Sequence, residues 1–554
     1  MKFHLSCLLV GMMPVCFAQT GDVVPQPASS SVSVTIGMRN TTSLEVSYQI
    51  PPSCTALEFR NEGFRPDIAS SLRSDWQAAD NCTEFDGKQV RRKMHTCNTL
   101  RLRVPATARH VDRVYPWAYP VEHGLYAHTA AYAVKNACGP VDWNFVVPNG
   151  TVVVDGVMMA ERGGRSAVEG GGDELPTVLI QNRFQPGKAT RVHASSEFTP
   201  ATRAVLGRTV ASIEAELKEM LPGLSFSVPF IVASPSEPGT YWGDVARRTV
   251  MRLSFPSKAG PEQEQLLHSF VTHEMAHLTH PSDWADSWQE DAATVREGSA
   301  EFLRVVTASR LGWIDRSGLQ DELEKAVNSC LIAAEGKPWK MMRDRNWGMN
   351  PYNCGLTFYM IGLASHPGPT TPLLRLRDYF SKAAKRERTD FAHAVECGTQ
   401  TACNSRWLSR LAGDEPLEAV LLDYTRQPGS LLKATSDWGG VLVKPIAFHH
   451  LGMLMRADCQ GGISMYREAA AARIADGPRC GTLRPGMVVI TAEGLPLFDN
   501  SAAVQASIQA CRNQGRTVLG LRDGSSVNVA CGTSASLPAH LYSVNVDRAL
   551  YLTK

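Results

Sequence analysis

The chain has 554 residues, of which 44% are hydrophobic and 20% charged, and its formal net charge is +2 at pH 7. This composition is typical of folded globular proteins and excludes a disordered or fibrous chain. The balanced charge gives no sign of binding to nucleic acid or to an anionic membrane surface. A chain of this length exceeds one ordinary core, so about three domains are expected.

The first residues have the pattern of a secretory signal. Lys2 precedes an apolar run from Leu5 to Phe17, and Ala18 supplies a small residue before Gln19. A charged start, a short apolar stretch and a small-residue cleavage site are typical of a signal peptide, here over residues 1–18. No later apolar run is long enough to span a bilayer. We therefore expect an exported protein, periplasmic or secreted; the alternative is a buried N-terminal strand.

Cysteine usage supports export. Two of the fourteen cysteines lie in the predicted signal, and the other twelve fall into three groups of four: Cys54, Cys82, Cys97, Cys138; Cys330, Cys354, Cys397, Cys403; and Cys459, Cys480, Cys511, Cys531. In an exported protein such grouping predicts structural disulfides within domains, although the pairing stays open. A cysteine metal site would need close C-x-x-C pairs, and the sequence has none.

The predicted elements change type along the chain. After a linker at 25–31, β-type runs separated by turns predict an all-β domain over residues 19–190, with a glycine-rich loop at 163–172. A helix over 199–221, strands at 226–232 and 249–255, and helices from 261 to about 432 predict an α+β domain over 191–435. The remainder, residues 436–554, reads as short strands with one helix at 501–513.

The pattern that carries chemistry is H-E-x-x-H at residues 273–277. Gly260-Pro261 is a reasonable helix start and Pro281 a helix stop. Residues four apart share one helix face, so His273 and His277 can hold one metal ion. Glu274 lies about 100° round the helix, where it can take a proton from a water at the open coordination position. Without further context, the motif also fits a helix with surface charges.

A catalytic zinc needs a third protein ligand and an open fourth site. Glu297 follows His277 after nineteen residues, on a second predicted helix, and Gly298 beside it would let the two helices approach closely. Glu301, one turn on, is placed to receive the other ring N–H of a zinc-bound histidine; the alternative is a solvated carboxylate. His280 is interpreted as a helix-end histidine rather than a ligand.

With these residues the chain resembles the gluzincin metallopeptidases, the thermolysin-like group that includes the aminopeptidases. Their H-E-x-x-H motif is followed by a glutamate in an E-G-x-A context, which residues 297–300 match. Residues 351–355 look like the Tyr-x-x-Gly helix start of gluzincin aminopeptidases. The resemblance implies one Zn²⁺ per chain on His273, His277 and Glu297, Glu274 as general base, and a Tyr352 hydroxyl that stabilises the oxyanion. Read alone, Tyr352 is a turn aromatic beside a proline.

The C-terminal region carries a second resemblance. Residues 451–454 look like the carboxylate-binding loop of a PDZ domain, residues 483–494 resemble the PDZ strand-turn motif with Met487 in place of the usual aspartate, and the 501–513 helix fits the second PDZ helix. A β domain, a gluzincin core and a PDZ-like domain in this order resemble the glycyl-aminopeptidase family. This implies a bound peptide C-terminus or strand; the alternative is a domain that only packs against the catalytic one.

The sequence departs from the family pattern at the substrate anchor, and it also lacks the usual aromatic pair inside H-E-x-x-H and the Trp-Asn after it. Gluzincin aminopeptidases hold the substrate's α-ammonium with a glutamate on a glycine-rich edge strand before the zinc helix. The corresponding stretch, 239–248, has no such glutamate. Asp244 is the candidate anchor, although a turn aspartate is common after glycine, and Arg247 and Arg248 would instead attract a carboxylate. The sequence predicts a zinc aminopeptidase, with an endopeptidase using the same zinc site or a catalytically silent peptide-binding scaffold as alternatives.

Overall fold

The computed structural model describes residues 31–554, except for 61–65, 108–116, 123, 136–137, 155–156, 166–176, 182–190, 237–240, 247–248, 258–260, 281–288, 343–344, 347, 367–369, 388, 401–402, 404–405, 437–438, 461–464, 469, 475–478 and 533–537. The predicted signal peptide, nearly all of the linker, most of the glycine-rich loop, Arg247, Arg248 and Pro281 lie outside the described residues. The architecture is multidomain and mixed α/β, with a β-rich N-terminal part.

The N-terminal part consists mainly of two sheets. Its helix is α1 (Pro66–Arg73), and its described strands are β1 (Val32–Asn40), β2 (Ser43–Gln49), β3 (Ala56–Glu58), β4 (Gln77–Ala78), β5 (Thr83–Phe85), β6 (Gln89–Arg92), β7 (Thr99–Pro105), β8 (Ala118–Val121), β9 (Gly124–His128), β10 (Val141–Val154), β11 (Val157–Arg165) and β12 (Thr177–Gln181). The main sheet runs β4-β7-β2-β1-β10-β12-β9-β8 with β11 on β10, and β3-β6-β5 form a small sheet.

The β character of this part follows from side-chain alternation. Val32, Val34 and Ile36 are buried on β1 and alternate with partly exposed residues, the period-two pattern of a strand with one face in a core. The predicted all-β domain is therefore β-rich, and α1 is a helix that the sequence patterns did not predict.

The central part begins with the long helix α2 (Pro200–Met220), whose N-cap Thr199 accepts a hydrogen bond from the Thr202 amide. The predicted helix at 199–221 is confirmed. A four-stranded sheet follows in the order β13-β14-β16-β15, formed by β13 (Val192–Ala194), β14 (Phe230–Ser236), β15 (Trp242–Ala246) and β16 (Val250–Pro256). The first predicted strand starts later than expected, at Phe230. Strand β15 runs antiparallel at one edge.

The rest of the central part is helical, as predicted. Its described helices are α3 (Pro261–Ala276), α4 (Ala292–Arg310), α5 (Arg316–Ala334), α6 (Asn350–Ser365), α7 (Pro372–Ala384), α8 (Phe391–Glu396), α9 (Trp407–Leu411) and α10 (Leu417–Thr425). One hydrophobic core runs continuously from this helical layer into the C-terminal part. No described helix is long and apolar enough to cross a membrane.

The C-terminal part is mixed. Its described elements are β17 (Leu432–Thr435), α11 (Val443–Asp458), β18 (Cys459–Gln460), β19 (Met465–Glu468), β20 (Ala471–Ile474), β21 (Arg479–Cys480), β22 (Val488–Ala492), β23 (Leu495–Pro496), α12 (Ala502–Gln514), β24 (Arg516–Leu521), β25 (Ser526–Ala530), β26 (Leu541–Val544) and α13 (Val546–Tyr551). The largest sheet runs β19-β20-β22-β24-β25 with β23 on β22, while β26 returns to pair with β17. Asn328 of α5 accepts from the Tyr542 amide and donates to its carbonyl, which ties the chain end to the helical layer.

The predicted carboxylate-binding loop of the C-terminal part is a helix. The predicted helix at 501–513 is confirmed as α12, but residues 451–454, interpreted as a carboxylate-binding loop, lie inside helix α11. Leu451 and Leu454 are buried in the shared core, and His450 of the same helix hydrogen-bonds Ser507 of α12 at 2.7 Å. Because these amides are used inside a helix, they are not available to a peptide carboxylate. The PDZ-like identity of this part and the domain boundaries remain predictions.

The twelve cysteines outside residues 1–18 form six disulfides, all within their sequence groups: Cys54–Cys138, Cys82–Cys97, Cys330–Cys354, Cys397–Cys403, Cys459–Cys480 and Cys511–Cys531. The predicted grouping is confirmed. The bridge between Cys330 and Cys354 joins α5 to α6, and such a cross-link restricts the unfolded chain and so stabilises the folded helical layer.

Candidate metal centre

Two imidazoles converge at the end of α3. The buried Leu267, Val271 and Met275 hold one face of this helix in the core. His273 lies in its last turn and His277 directly follows it, and their Nε2 atoms are 3.1 Å apart. With the proton of each ring on Nδ1, both Nε2 atoms present lone pairs to one point. The spacing of four thus brings together the pair that the motif predicted.

Glu297 of α4 completes a triangle. Its Oε2 atom lies 3.2 Å from Nε2 of His273 and 3.2 Å from Nε2 of His277. Its other oxygen, Oε1, accepts from the partly exposed Arg296 guanidinium at 3.1 Å. Oε2 itself is buried and has no hydrogen bond among the described residues. Such an atom is expected to give its lone pair to a cation.

These three atoms fit zinc. Four ligands at about 2.0 Å in a tetrahedron lie roughly 3.3 Å from one another, close to the three observed separations. Two imidazole nitrogens and one carboxylate oxygen are also a donor set of catalytic zinc sites with an open fourth position. The two other groups of candidate ligands found in the described residues consist mainly of disulfide cysteines, paired with His366 or with Asp458, and oxidised sulfurs are not thiolate ligands.

The Glu301 carboxylate contacts the back of the site. Its Oε1 atom lies 2.8 Å from Nδ1 of His273, on the ring side away from the metal position. An acceptor there places the proton on Nδ1 and leaves Nε2 free. Glu301 is thus where the sequence predicted it, and it is mostly buried rather than solvated.

Glu274 lies beside the triangle, in a confined space. Only 8% of its surface is exposed. Burial raises the pKa of Glu274 to about 7, with the negative charges of Asp244 and Glu297 adding to the rise and His273 opposing it. A Cβ atom at Gly243 of β15 would lie 2.6 Å from Cγ of Glu274, so only glycine lets the edge strand run this close. The patterns in the sequence did not single out Gly243.

Tyr352 lies in the first turn of α6, and its ring stacks on the His273 ring with centroids 5.3 Å apart. Burial raises the pKa of Tyr352, and the negative charges of Glu297 and Glu274 add to the rise, so the phenol keeps its proton at neutral pH. The predicted helix start at this motif is confirmed.

A glycine contact fixes where α6 lies. A Cβ atom at Gly298 would lie 2.4 Å from Cα of Gly355, and a Cβ atom at Gly355 would lie 2.4 Å from Cα of Gly298. The prediction that Gly298 admits a close neighbour is right, but the neighbour is α6 and not the H-E-x-x-H helix. Successive residues point about 100° apart round a helix, so Gly298 faces α6 when Glu297 faces the histidines.

Asp244 has a different partner from the one expected. It lies on β15 opposite Arg252 of β16, whose guanidinium binds both carboxylate oxygens, through Nε at 2.6 Å and through Nη2. A substrate ammonium would compete with this bidentate pair.

His280 lies beyond the end of α3 and packs edge-on against Phe380, outside the three-residue group, in agreement with its interpretation as a helix-end histidine.

Comparison with known proteins gives a likeness of fold. No protein-family model matches the chain, and no curated protein matches it. An aminopeptidase N family protein from Idiomarina loihiensis has a similar structure, with a TM-score of 0.51 at 10% identity, covering 94% of this chain and 100% of that one. An M1 zinc metallopeptidase from Deinococcus radiodurans (TM-score 0.36, 11% identity, 70% and 95% covered) and leukotriene A4 hydrolase from Saccharomyces cerevisiae (TM-score 0.36, 12% identity, 76% and 72% covered) are more distant.

Proposed function

We propose that this chain is a zinc-dependent peptidase that is exported to the periplasm or secreted. Its active site hydrolyses peptide bonds with a zinc ion held by His273, His277 and Glu297 and with Glu274 as the general base. The observation that carries the proposal is the triangle of ligand atoms with sides of 3.1 and 3.2 Å, next to a buried carboxylate. The six disulfides agree with an oxidising compartment.

The proposed mechanism divides the work between the metal and three side chains. When bound, zinc lowers the pKa of a water to about 7 and polarises the scissile carbonyl. Glu274 takes the proton of the attacking water and later delivers it to the leaving amine. The Tyr352 hydroxyl donates to the carbonyl oxygen as negative charge develops there. Glu301 keeps His273 in the tautomer and orientation that the site needs.

We propose that the peptidase is an aminopeptidase, which removes residues from the N-termini of peptides. Support comes from the likeness in fold to a protein described as a member of the aminopeptidase N family, across nearly the whole of both chains. An endopeptidase is the second candidate, and a specific observation favours it: the Asp244 carboxylate, the candidate ammonium anchor, is held by Arg252. A silent scaffold is disfavoured because it has no need to keep three ligands and a general base together.

The C-terminal part is a proposed PDZ-like domain of the glycyl-aminopeptidase type. Its support is the confirmed helix α12 over the sheet that contains β22 and β24. The proposed partner is a peptide that pairs with its strand edge, whereas a carboxylate at residues 451–454 is excluded by helix α11.

One experiment tests the function. The oxidised protein without residues 1–18 is incubated with a mixed peptide library, half of it N-acetylated, beside a Glu274→Gln variant, and the fragments are read by mass spectrometry. We expect cleavage by the wild type, loss of nearly all cleavage in the variant with zinc retained, and products trimmed from free N-termini. Internal cuts in acetylated peptides would identify the endopeptidase. Substantial activity in Glu274→Gln would remove Glu274 from the role of general base.

A further inference from the structure

We propose that Arg304 is a positioning residue for the metal centre, because it holds Glu301 in place and, through Glu301, the ring of His273. This inference rests on the proposed zinc site. It concerns two residues outside that site, Arg304 and Glu322, which neither the motif nor the proposed mechanism uses.

The Arg304 guanidinium donates two hydrogen bonds to the Glu301 carboxylate. Glu301 points Oε1 at Nδ1 of His273, at 2.8 Å. Its Oε2 atom accepts from Arg304 twice, from Nε at 2.9 Å and from Nη2 at 2.8 Å. These two bonds hold Oε2 in place, and with Oε1 on the imidazole both ends of the carboxylate are fixed. Charge-assisted bonds of this kind are short and directional.

The same guanidinium reaches two further helices. Its Nη2 atom donates to Oε2 of Glu322 on α5 at 2.5 Å, and its Nη1 atom donates to Oγ of Ser269 on α3 at 3.1 Å. Ser269 precedes His273 by one helical turn on the same helix face. Arg304 therefore holds the helix that carries the ligand, the carboxylate that orients the ligand, and a third helix that supports both.

Burial gives these bonds their effect. The side chains of Arg304 and Glu301 are 12% and 15% exposed, so water competes little for their donors and acceptors. Lysine cannot replace this arrangement, because an ammonium lacks the planar fork that meets Glu301, Glu322 and Ser269 together. Loss of Arg304 would also leave the buried Glu301 charge without its cation.

The test compares Arg304→Lys with a matched substitution on the same helix. Arg310, the last residue of α4, binds Glu216 and Glu219 and makes no ion pair with the metal-centre residues among the described part of the chain. Zinc affinity is measured by competition with a chelator, and Co²⁺ loaded in place of zinc reports ligand geometry through its visible spectrum. We expect Arg304→Lys to weaken zinc binding about tenfold and to change the Co²⁺ spectrum, and Arg310→Lys to change neither.

Glu322→Gln provides a second measurement should Arg304→Lys not fold. It keeps an acceptor for Arg304 but removes the charge, and a weaker zinc affinity with an altered Co²⁺ spectrum is again expected. The positioning role would be overturned if folded Arg304→Lys had the zinc affinity and the Co²⁺ spectrum of the wild type. If Arg304→Lys does not fold, the same result in Glu322→Gln would overturn it. That outcome is distinct from a wild-type protein that binds no zinc or cleaves no peptide, which would refute the proposed function itself.

Discussion

The contact between Gly298 and Gly355 gives the sharpest quantitative prediction. The substitution Gly298→Ala would place a Cβ atom 2.4 Å from Cα of Gly355, 2.5 Å from its carbonyl carbon and 2.9 Å from its oxygen. Carbon atoms in contact are ordinarily about 3.5 to 4.0 Å apart. All three neighbours are backbone atoms that cannot rotate away, so helix α6 must move by about 1 Å or more relative to α4.

This movement has two consequences. Overpacking of this kind costs about 1–3 kcal/mol of folding free energy. It also displaces Tyr352, which lies one turn from Gly355, relative to Glu297, and a misplacement of about 1 Å in an active site can cost on the order of a hundredfold in rate. We therefore expect Gly298→Ala to lower both the thermal midpoint and kcat/KM.

The assay measures thermal unfolding and then steady-state kinetics on the peptide of the mixed library that the wild type cleaves fastest. Gly207→Ala is the matched control, because Gly207 lies within helix α2 and a Cβ there meets no atom within 4 Å. That change should leave activity intact and stabilise the helix by up to about 1 kcal/mol. A Gly298→Ala protein as active as wild type and as stable as Gly207→Ala would refute the close-contact reasoning.

Two further predictions concern single groups. Tyr352→Phe should lower kcat on the order of a hundredfold or more while the zinc content stays at the wild-type value, because only the oxyanion donor is lost; an unchanged kcat would assign the oxyanion to another donor. His450 is buried, and burial lowers its pKa from 6.5 to about 4, with the neighbouring His449 adding to the shift. The unfolded chain therefore takes up the proton first as the pH falls, so the contribution of neutral His450 to stability is present above about pH 6.5 and is lost progressively toward pH 4, by about 2 kcal/mol at pH 5. His450→Gln should thus lose less of its thermal midpoint between pH 7 and pH 5 than the wild type does, and an equal loss in both proteins would contradict this assignment.

Local signals in the sequence predicted much of the fold. Helix α2 was located to within a residue because its N-cap Thr199 and its apolar stripe lie within the segment itself. His273 and His277 come together for the same reason, since a spacing of four is a property of one helix. The six disulfides all join cysteines of the same sequence group, as the grouping along the chain predicts.

What was missed depends on contacts between distant segments. Residues 451–454 are predicted as a loop from their resemblance to the PDZ carboxylate-binding loop, but a short apolar run also fits a buried helix, and the segment lies inside α11. Arg252 is only eight residues from Asp244, but it faces Asp244 only through the antiparallel register of β15 and β16, which the sequence does not show. The partner of Gly298 was assigned to the wrong helix because the sequence does not show which helices pack together. The spacing of three between Glu301 and Arg304 was a signal that could have found the positioning pair.

Metal content is the most direct test of the proposed metal centre. Zinc per chain is determined in the oxidised protein without residues 1–18, beside His277→Ala and His366→Ala. His366 belongs to a second group of candidate ligands, whose two cysteines are joined as a disulfide. We predict one zinc per chain in the wild type and in His366→Ala, and its loss in His277→Ala. A wild-type protein without zinc, or zinc that survives His277→Ala, would contradict the account.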